Sequence, residues 1–244
     1  MSLLSVEHLD VRHGLLQAVR DVGFSVEEGE TIALVGANGA GKTTLLRAIA
    51  GAHPPFAGTI RLGETDVTSI PAHRRVGMGI ALVPEGRRLF SAMTVEENLL
   101  VAGAVRRQGD WTIDRVMELF PMLKPRRRAR AGSLSGGEQQ ATAIGRALLT
   151  NPRILLLDEV SLGLSPLAVD RVYQSLRSLM SSGTTTIIVE QDLKRALRVA
   201  TRVICMLEGR VVMEGRAADV TREEVMEAYF GLDRHRSRHA EGAS

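Results

Sequence analysis

One stretch constrains this chain more than any other: TIALVGANGAGKTTLLRAIAG, residues 31–51. TIALVG reads as a short buried strand and KTTLLRAIAG as a helix that stops at Gly51. Between them, Gly36-Ala37-Asn38-Gly39-Ala40-Gly41-Lys42-Thr43, followed by Thr44, keeps the spacing G-x-x-x-x-G-K-[ST]. The pattern carries weight only when a strand precedes it and a helix follows, and both are expected here. Glycines let backbone N–H groups converge on phosphate oxygens, and the helix N-terminus adds open donors and a favourable dipole. Lys42 is then placed to reach β- and γ-phosphates, and the Thr43 hydroxyl to hold Mg²⁺. The competing reading, a plain glycine turn into a helix, does not require the full spacing.

A second stretch, ILLLDE at 154–159, completes the chemistry. Four apolar residues drive a central strand into the core and bring Asp158 to its C-terminal edge, where ligands of open α/β sheets bind. Asp158 is expected to hold Mg²⁺ through water. Glu159 is expected to polarise an attacking water. Two acids at a strand end are ordinary by themselves; the glycine loop gives them meaning.

The rest of the chain fits around these two segments. LLSVEHLDV and RDVGFSV alternate as half-buried strands do, and GTIRLGETDV reads as a hairpin around Gly63. GIALVPEG is a strand ended by Pro84, and GTTTIIVEQ and RVICMLEGRVVMEG supply further strands. Helices are expected between ILLLDE and GTTTIIVEQ and after Asp192. Residues 91–132 look mostly helical, with breaks at Gly109, Pro121 and Pro125. Alternating strands and helices imply a largely parallel α/β sheet, with the opening strands as a small antiparallel layer. The chain has 244 residues, 44% of them hydrophobic, which is enough for a sizeable core. A net charge of +3 does not point to nucleic acid or an anionic surface. A single cysteine, Cys205, rules out an intrachain disulfide framework and reads as inert core. No apolar run is long enough to span a bilayer, and the first residues lack the pattern of a signal peptide. His8, His53 and His73 have no metal-ligand spacing, so no zinc is expected. Trp111 reads as packing, PRRRAR at 125–130 as a solvated basic end, and the polar tail 231–244 as a frayed terminus.

LSGGEQQ at 134–140 is a second glycine-rich entrance to a helix. Gly136 and Gly137, with the Ser135 hydroxyl, make a second possible anion site, although a merely capped helix would explain SGG alone. Taken in order, GANGAGKTT, LSGGEQQ and LLLDE resemble the ATP-binding subunits of ABC transporters, over nearly the whole chain. The resemblance implies an α/β P-loop NTPase (RecA-like) parallel-sheet core with an antiparallel β layer and an inserted helical subdomain. It implies a core at 1–85 and 140–230, the helical insertion at about 86–139, and a nucleotide sandwiched between the phosphate loop of one subunit and Ser135, Gly136 and Gly137 of another.

A narrower resemblance is carried by GIALVPEGRRLFSAMTVEENLL, SLGLSP, IIVEQD and GRVVMEG, which look like the LivF-type ATPases of branched-chain amino acid uptake. It implies roles for positions that depart from the wider family. Glu85 stands where a glutamine is usual and can still give an oxygen to Mg²⁺. Gln191 stands where a histidine is usual and can donate to the γ-phosphate without becoming cationic. His13 stands near the usual aromatic and can stack on adenine. Arg87 and Arg88, beside Leu89 and Phe90, stand where the family docks a helix of a membrane subunit. The expected function is ATP hydrolysis driving an importer, with ATP and Mg²⁺ as cofactors. The expected partners are two membrane permeases, a related but non-identical second ATPase and, indirectly, a solute-binding protein; no nucleic acid is expected. The expected location is peripheral, at the cytoplasmic face of the inner membrane. A urea or amide importer, an exporter subunit and a soluble ATPase acting on nucleic acid or ribosomes are the alternatives.

Overall fold

The computed structural model describes residues 2–105 and 107–230. The polar tail, with its HRSRH segment, lies outside the described residues. In chain order the first elements are β1 (Leu4–His13), β2 (Leu16–Val26), β3 (Thr31–Gly36), α1 (Lys42–Ile49), β4 (Ala57–Leu62) and β5 (Thr65–Asp66). Then come α2 (Ala72–Met78), β6 (Ile80–Val83), α3 (Val95–Leu100), α4 (Ile113–Leu119) and α5 (Gly136–Leu148). The remainder is β7 (Ile154–Asp158), α6 (Pro166–Ser181), β8 (Thr185–Val189), α7 (Leu193–Val199), β9 (Arg202–Leu207), β10 (Arg210–Arg216) and α8 (Arg222–Phe230). The described residues form two compact units, one within residues 2–69 and 188–230 and the other within residues 70–187.

In the first unit, β2, β1, β4 and β5 form a four-stranded antiparallel sheet in that order. Its alternation is that of a sheet with one buried face: Leu4, Val6, Leu9 and Val11 of β1 point inward, while Glu7 and His8 face out. The turn between β4 and β5 lies at Gly63, φ 58°, so the expected hairpin is present. β3 has all six residues buried and pairs in parallel with β9, Gly36 opposite Met206. β10 returns antiparallel to β9. Complete burial of β3 is what a parallel strand covered on both faces requires, and it matches the unbroken apolar run of TIALVG.

In the second unit, β6 and β7 pair in parallel, Ile80 opposite Ile154 and Val83 opposite Leu157. α5 and α6 carry apolar stripes of Ala141, Ile144, Ala147 and Leu148, and of Val169, Val172, Tyr173 and Leu176, all buried. Parallel strands alternating with helices, and a separate antiparallel layer, give the α/β P-loop architecture expected from the sequence.

Three local features differ from expectation. The described residues of 91–132 hold two short α-helices, α3 and α4, with one 3₁₀ turn between them at Val101–Ala104 and two after α4 at Pro121–Arg126 and Ala131–Ser133. Pro121 does end α4, but Pro125 lies inside a 3₁₀ turn instead of breaking a helix. In so short a turn its missing N–H forfeits little. α2 has no apolar periodicity because its inward residue is a cation: Arg75 is 1% exposed and donates from Nε to the Ile70 carbonyl at 2.7 Å. The 125–130 segment is exposed, as expected, but anchored: Arg127 lies 2.6 Å from Glu96, and Arg126 lies 3.2 Å from Glu138. Trp111 packs under the Arg115 guanidinium, 4.8 Å from the ring centre. Among the described residues no helix is long and apolar enough to cross a membrane.

Cys205 lies in the middle of β9, fully buried. Loss of hydration raises its thiol pKa and nearby Lys42 lowers it; burial prevails, and the thiol is pushed up to about 11. At about pH 8 the reactive thiolate is then a minute fraction. Iodoacetamide should therefore leave the folded chain unmodified at that pH while alkylating the denatured chain fully. Comparable labelling of both, read by mass spectrometry, would contradict the burial.

Candidate functional site

The glycine loop is built by close approach on both flanks, all within the first unit. Gly36 ends β3 at φ 146°, and a Cβ there would lie 2.2 Å from the Met206 carbonyl oxygen. Gly41 caps α1 at φ 98°, and a Cβ there would lie 2.2 Å from the Ala18 carbonyl oxygen. Only glycine meets both the dihedral and the steric demand. Asn38 and Gly39, between them, are exposed. A Cβ on Gly39 would meet nothing within 4 Å.

Lys42 opens α1 and is 4% exposed. Its ammonium donates to the carbonyls of Gly36 at 2.7 Å and Ala37 at 2.9 Å. The cation is thus folded back over the loop, whose backbone satisfies it. Thr43 and Thr44 follow, half-buried. The Thr44 hydroxyl lies 3.1 Å from His13 Nε2, which brings the β1–β2 turn to the start of α1. His13 is itself stacked obliquely on His53, ring centres 4.5 Å apart, and His53 Nε2 donates to the Arg12 carbonyl at 2.8 Å. The sequence suggested His13 but gave no sign of His53.

Gln191 is exposed, just past the end of β8. The turn that carries it is held by charge. Arg195 lies 3.0 Å from Glu190, which is 1% exposed, and 3.3 Å from Asp192. Asp192 also caps α7, accepting from the Arg195 amide at 3.1 Å. The Arg195 guanidinium thus partners the buried Glu190 carboxyl and ties it to the start of α7.

In the second unit, Asp158 is the last residue of β7 and is 1% exposed. Glu159 follows at φ 47°, a left-handed conformation uncommon for a non-glycine residue. Glu85 is exposed in the loop that leaves β6. Within this unit the side chains of Asp158 and Glu85 offer only hard oxygen donors, a chemistry that suits Mg²⁺ and not a soft or borderline metal.

The LSGG stretch is a closed capping box. The Ser135 amide and hydroxyl donate to Glu138 Oε2 at 2.8 and 2.9 Å, and the Glu138 amide returns to the Ser135 hydroxyl at 3.4 Å. The hydroxyl proton that the sequence offered to an anion is thus given to Glu138. The glycines have a second reason here. A Cβ on Gly136 would meet Leu164 Cδ2 at 3.1 Å and Arg87 Nη2 at 3.4 Å, and one on Gly137 would meet the Ala168 Cβ at 3.0 Å. The start of α5 therefore packs against the 161–164 loop and the first turn of α6. Also unforeseen was Asn98, 0% exposed in α3, which accepts from the Phe90 amide at 2.9 Å and donates to the Phe90 and Thr94 carbonyls at 3.0 and 2.9 Å. A lone asparagine in a helix gives no sequence signal of such a role.

Residues 19–161 match the family model described as ABC transporter. The chain belongs to that family. It resembles the high-affinity branched-chain amino acid transport ATP-binding protein BraG of Pseudomonas aeruginosa, 43% identical over 94% of this chain and 100% of that one. It also resembles the probable branched-chain amino acid transport ATP-binding protein LivF of Archaeoglobus fulgidus, 33% identical over 92% and 97%. Among solved structures, a nucleotide-free ATP-binding cassette from an ABC transporter superposes with TM-score 0.82 at 26% identity, over 94% of this chain and 99% of that one. As an ABC cassette the chain binds ATP and couples its hydrolysis to transport, which is the work the glycine loop was expected to serve.

The capping box gives a stability test. Burial raises the Glu138 carboxyl pKa, but the Ser135 amide and hydroxyl and the Arg126 guanidinium outweigh it, leaving the group below its ordinary value of 4.5. A depressed carboxylate contributes stability that is complete above the unfolded value and is lost as pH falls through the folded one. Ser135→Ala should cost about 1 kcal/mol at neutral pH by denaturant unfolding. The gap from wild type should narrow below about pH 4 as Glu138 protonates. A gap independent of pH would mean that Glu138 does not take part.

Proposed function

We propose that this chain is the ATP-hydrolysing subunit of an importer for branched-chain amino acids. In this reading it is held at the cytoplasmic face of the membrane by two permease subunits and paired with a related, non-identical ATPase, with a solute-binding protein delivering cargo outside. The observation that carries the reading is the 43% identity to BraG over that protein's whole length. The residues 85–90 loop, which displays Phe90 at 48% exposure, would receive a helix of a permease, and residues 86–139 would form the inserted helical subdomain.

Hydrolysis in this reading is in-line attack of water on the γ-phosphate. The amides of residues 36–44 and the Lys42 ammonium bind the triphosphate, the ammonium exchanging its Gly36 and Ala37 carbonyls for phosphate oxygens. Thr43, Asp158 and Glu85 would hold Mg²⁺, which when bound neutralises charge across the β- and γ-phosphates. Glu159 orients the water and accepts its proton. The Gln191 amide donates to the γ-phosphate, His13 stacks on adenine, and Ser135, Gly136 and Gly137 cover the nucleotide bound to the partner ATPase.

The deciding experiment is reconstitution with the neighbouring permeases and solute-binding protein in vesicles. Leucine, isoleucine or valine should raise ATP hydrolysis and accumulate inside; stimulation by urea or short amides alone would redirect the assignment. Two substitutions check the residues. Lys42→Ala should weaken ATP binding by at least about ten-fold in a folded chain, since it removes a charge-assisted contact worth roughly 1.5–3 kcal/mol. Glu159→Gln should leave ATP affinity intact and slow single-turnover hydrolysis by roughly 10²–10⁴, measured in the complex with the partner's site disabled. Equal decay rates would remove Glu159 from the mechanism.

A further inference from the structure

Residues 86–88 run Gly-Arg-Arg through three successive left-handed conformations, φ 76°, 63° and 50°. Glycine adopts this backbone freely; two arginines do not, and the surrounding contacts must hold them there. Those contacts are reciprocal with α5. Arg146 reaches back from α5 and donates from Nη2 to the carbonyls of Arg87 at 3.2 Å and Arg88 at 2.9 Å. Arg87 reaches the other way. Its Nη1 donates to Gln139 Oε1 at 3.0 Å, and its Nη2 to the Leu162 carbonyl at 3.5 Å.

Gln139 is not a passive end point. Its Nε2 donates to the carbonyls of Ala131 at 3.1 Å and Leu134 at 3.3 Å, the residues that lead into Ser135. The amide cannot turn round, because that would set its donors against the guanidinium. The guanidinium also lies beside Gly136, at whose missing Cβ it would stand 3.4 Å away. One planar cation therefore joins the 85–90 loop, the start of α5 and the 161–164 loop.

We infer that Arg87 is a positioning residue: its fork sets Ser135–Gly137 and the 161–164 loop relative to the 85–90 loop, so that a push on the exposed Phe90 and Met93 is felt at the LSGG stretch. The inference rests on the reading above that this stretch takes part in hydrolysis. A single ammonium cannot replace the fork, because its donors all sit on one nitrogen, whereas Gln139 and Leu162 are reached from the two separate nitrogens Nη1 and Nη2.

The test uses the assembled transporter with Arg87→Met, Arg87→Lys, Gln139→Leu and the double variant Arg87→Met/Gln139→Leu. ATP affinity and KM should stay within about two-fold, while kcat falls roughly ten- to a hundred-fold for both Arg87 variants, the scale of a small misplacement of reacting groups. The double variant should be no slower than Arg87→Met, because both substitutions break one link. Hydrogen exchange should quicken in residues 134–139 and 161–164 of Arg87→Lys. Unchanged kcat, a double variant as slow as the product of the two singles, or faster exchange confined to residues 85–90 would each overturn the inference. Should Arg87→Met fail to fold, Arg87→Lys carries the comparison. A wild-type complex that does not hydrolyse ATP would refute the function proposed above, and the exchange measurement would still decide the role of Arg87.

Discussion

A buried ammonium organises the nucleotide end of this chain. Lys42 is almost wholly withdrawn from water, and the carbonyls of Gly36 and Ala37 meet its charge. An uncompensated cation at that depth would cost several kcal/mol, so the loop must close over it. Closure demands the two tight approaches at Gly36 and Gly41, which fix the loop to β9 and to β2. The loop is therefore shaped before any phosphate arrives, and the amides need little reorganisation to receive one. A phosphate oxygen would be a stronger partner for the ammonium than a neutral carbonyl.

The second unit uses a different currency. Four of its helices begin at side-chain caps: Thr94 for α3, Thr112 for α4, Ser135 for α5 and Ser165 for α6. Asn98, Gln139 and Arg146 then add side-chain hydrogen bonds to the carbonyls of Phe90, Ala131 and Arg88. Polar side chains here replace the missing ladder of hydrogen bonds. Such a region is specified residue by residue, because each link has a single geometry.

That difference explains what could be read from the sequence. The glycine loop, the strands around it and Asp158 at the end of β7 were legible because burial and spacing act over a few neighbouring residues. The β4–β5 hairpin and the stop near Gly51 were legible for the same reason. Residues 91–132 were not, because their apolar residues suggest helices longer than the 3₁₀ turns that form. α2 was hidden by a buried arginine in the place of an apolar residue. Gly136 and Gly137 pointed to a ligand, whereas their packing against Arg87, Leu164 and Ala168 joins residues far upstream and downstream in the sequence. No local pattern encodes those contacts.

The left-handed backbone at Glu159 has a consequence for anyone redesigning this protein. A glutamate there bears a backbone cost of about 1 kcal/mol that asparagine, more at ease in this region, would reduce. A search for thermostable variants would therefore select against the very group proposed to meet the attacking water. Position 159 should be held fixed in such a search, and a more heat-resistant chain that changes it should be suspected of having given up its turnover for its melting point.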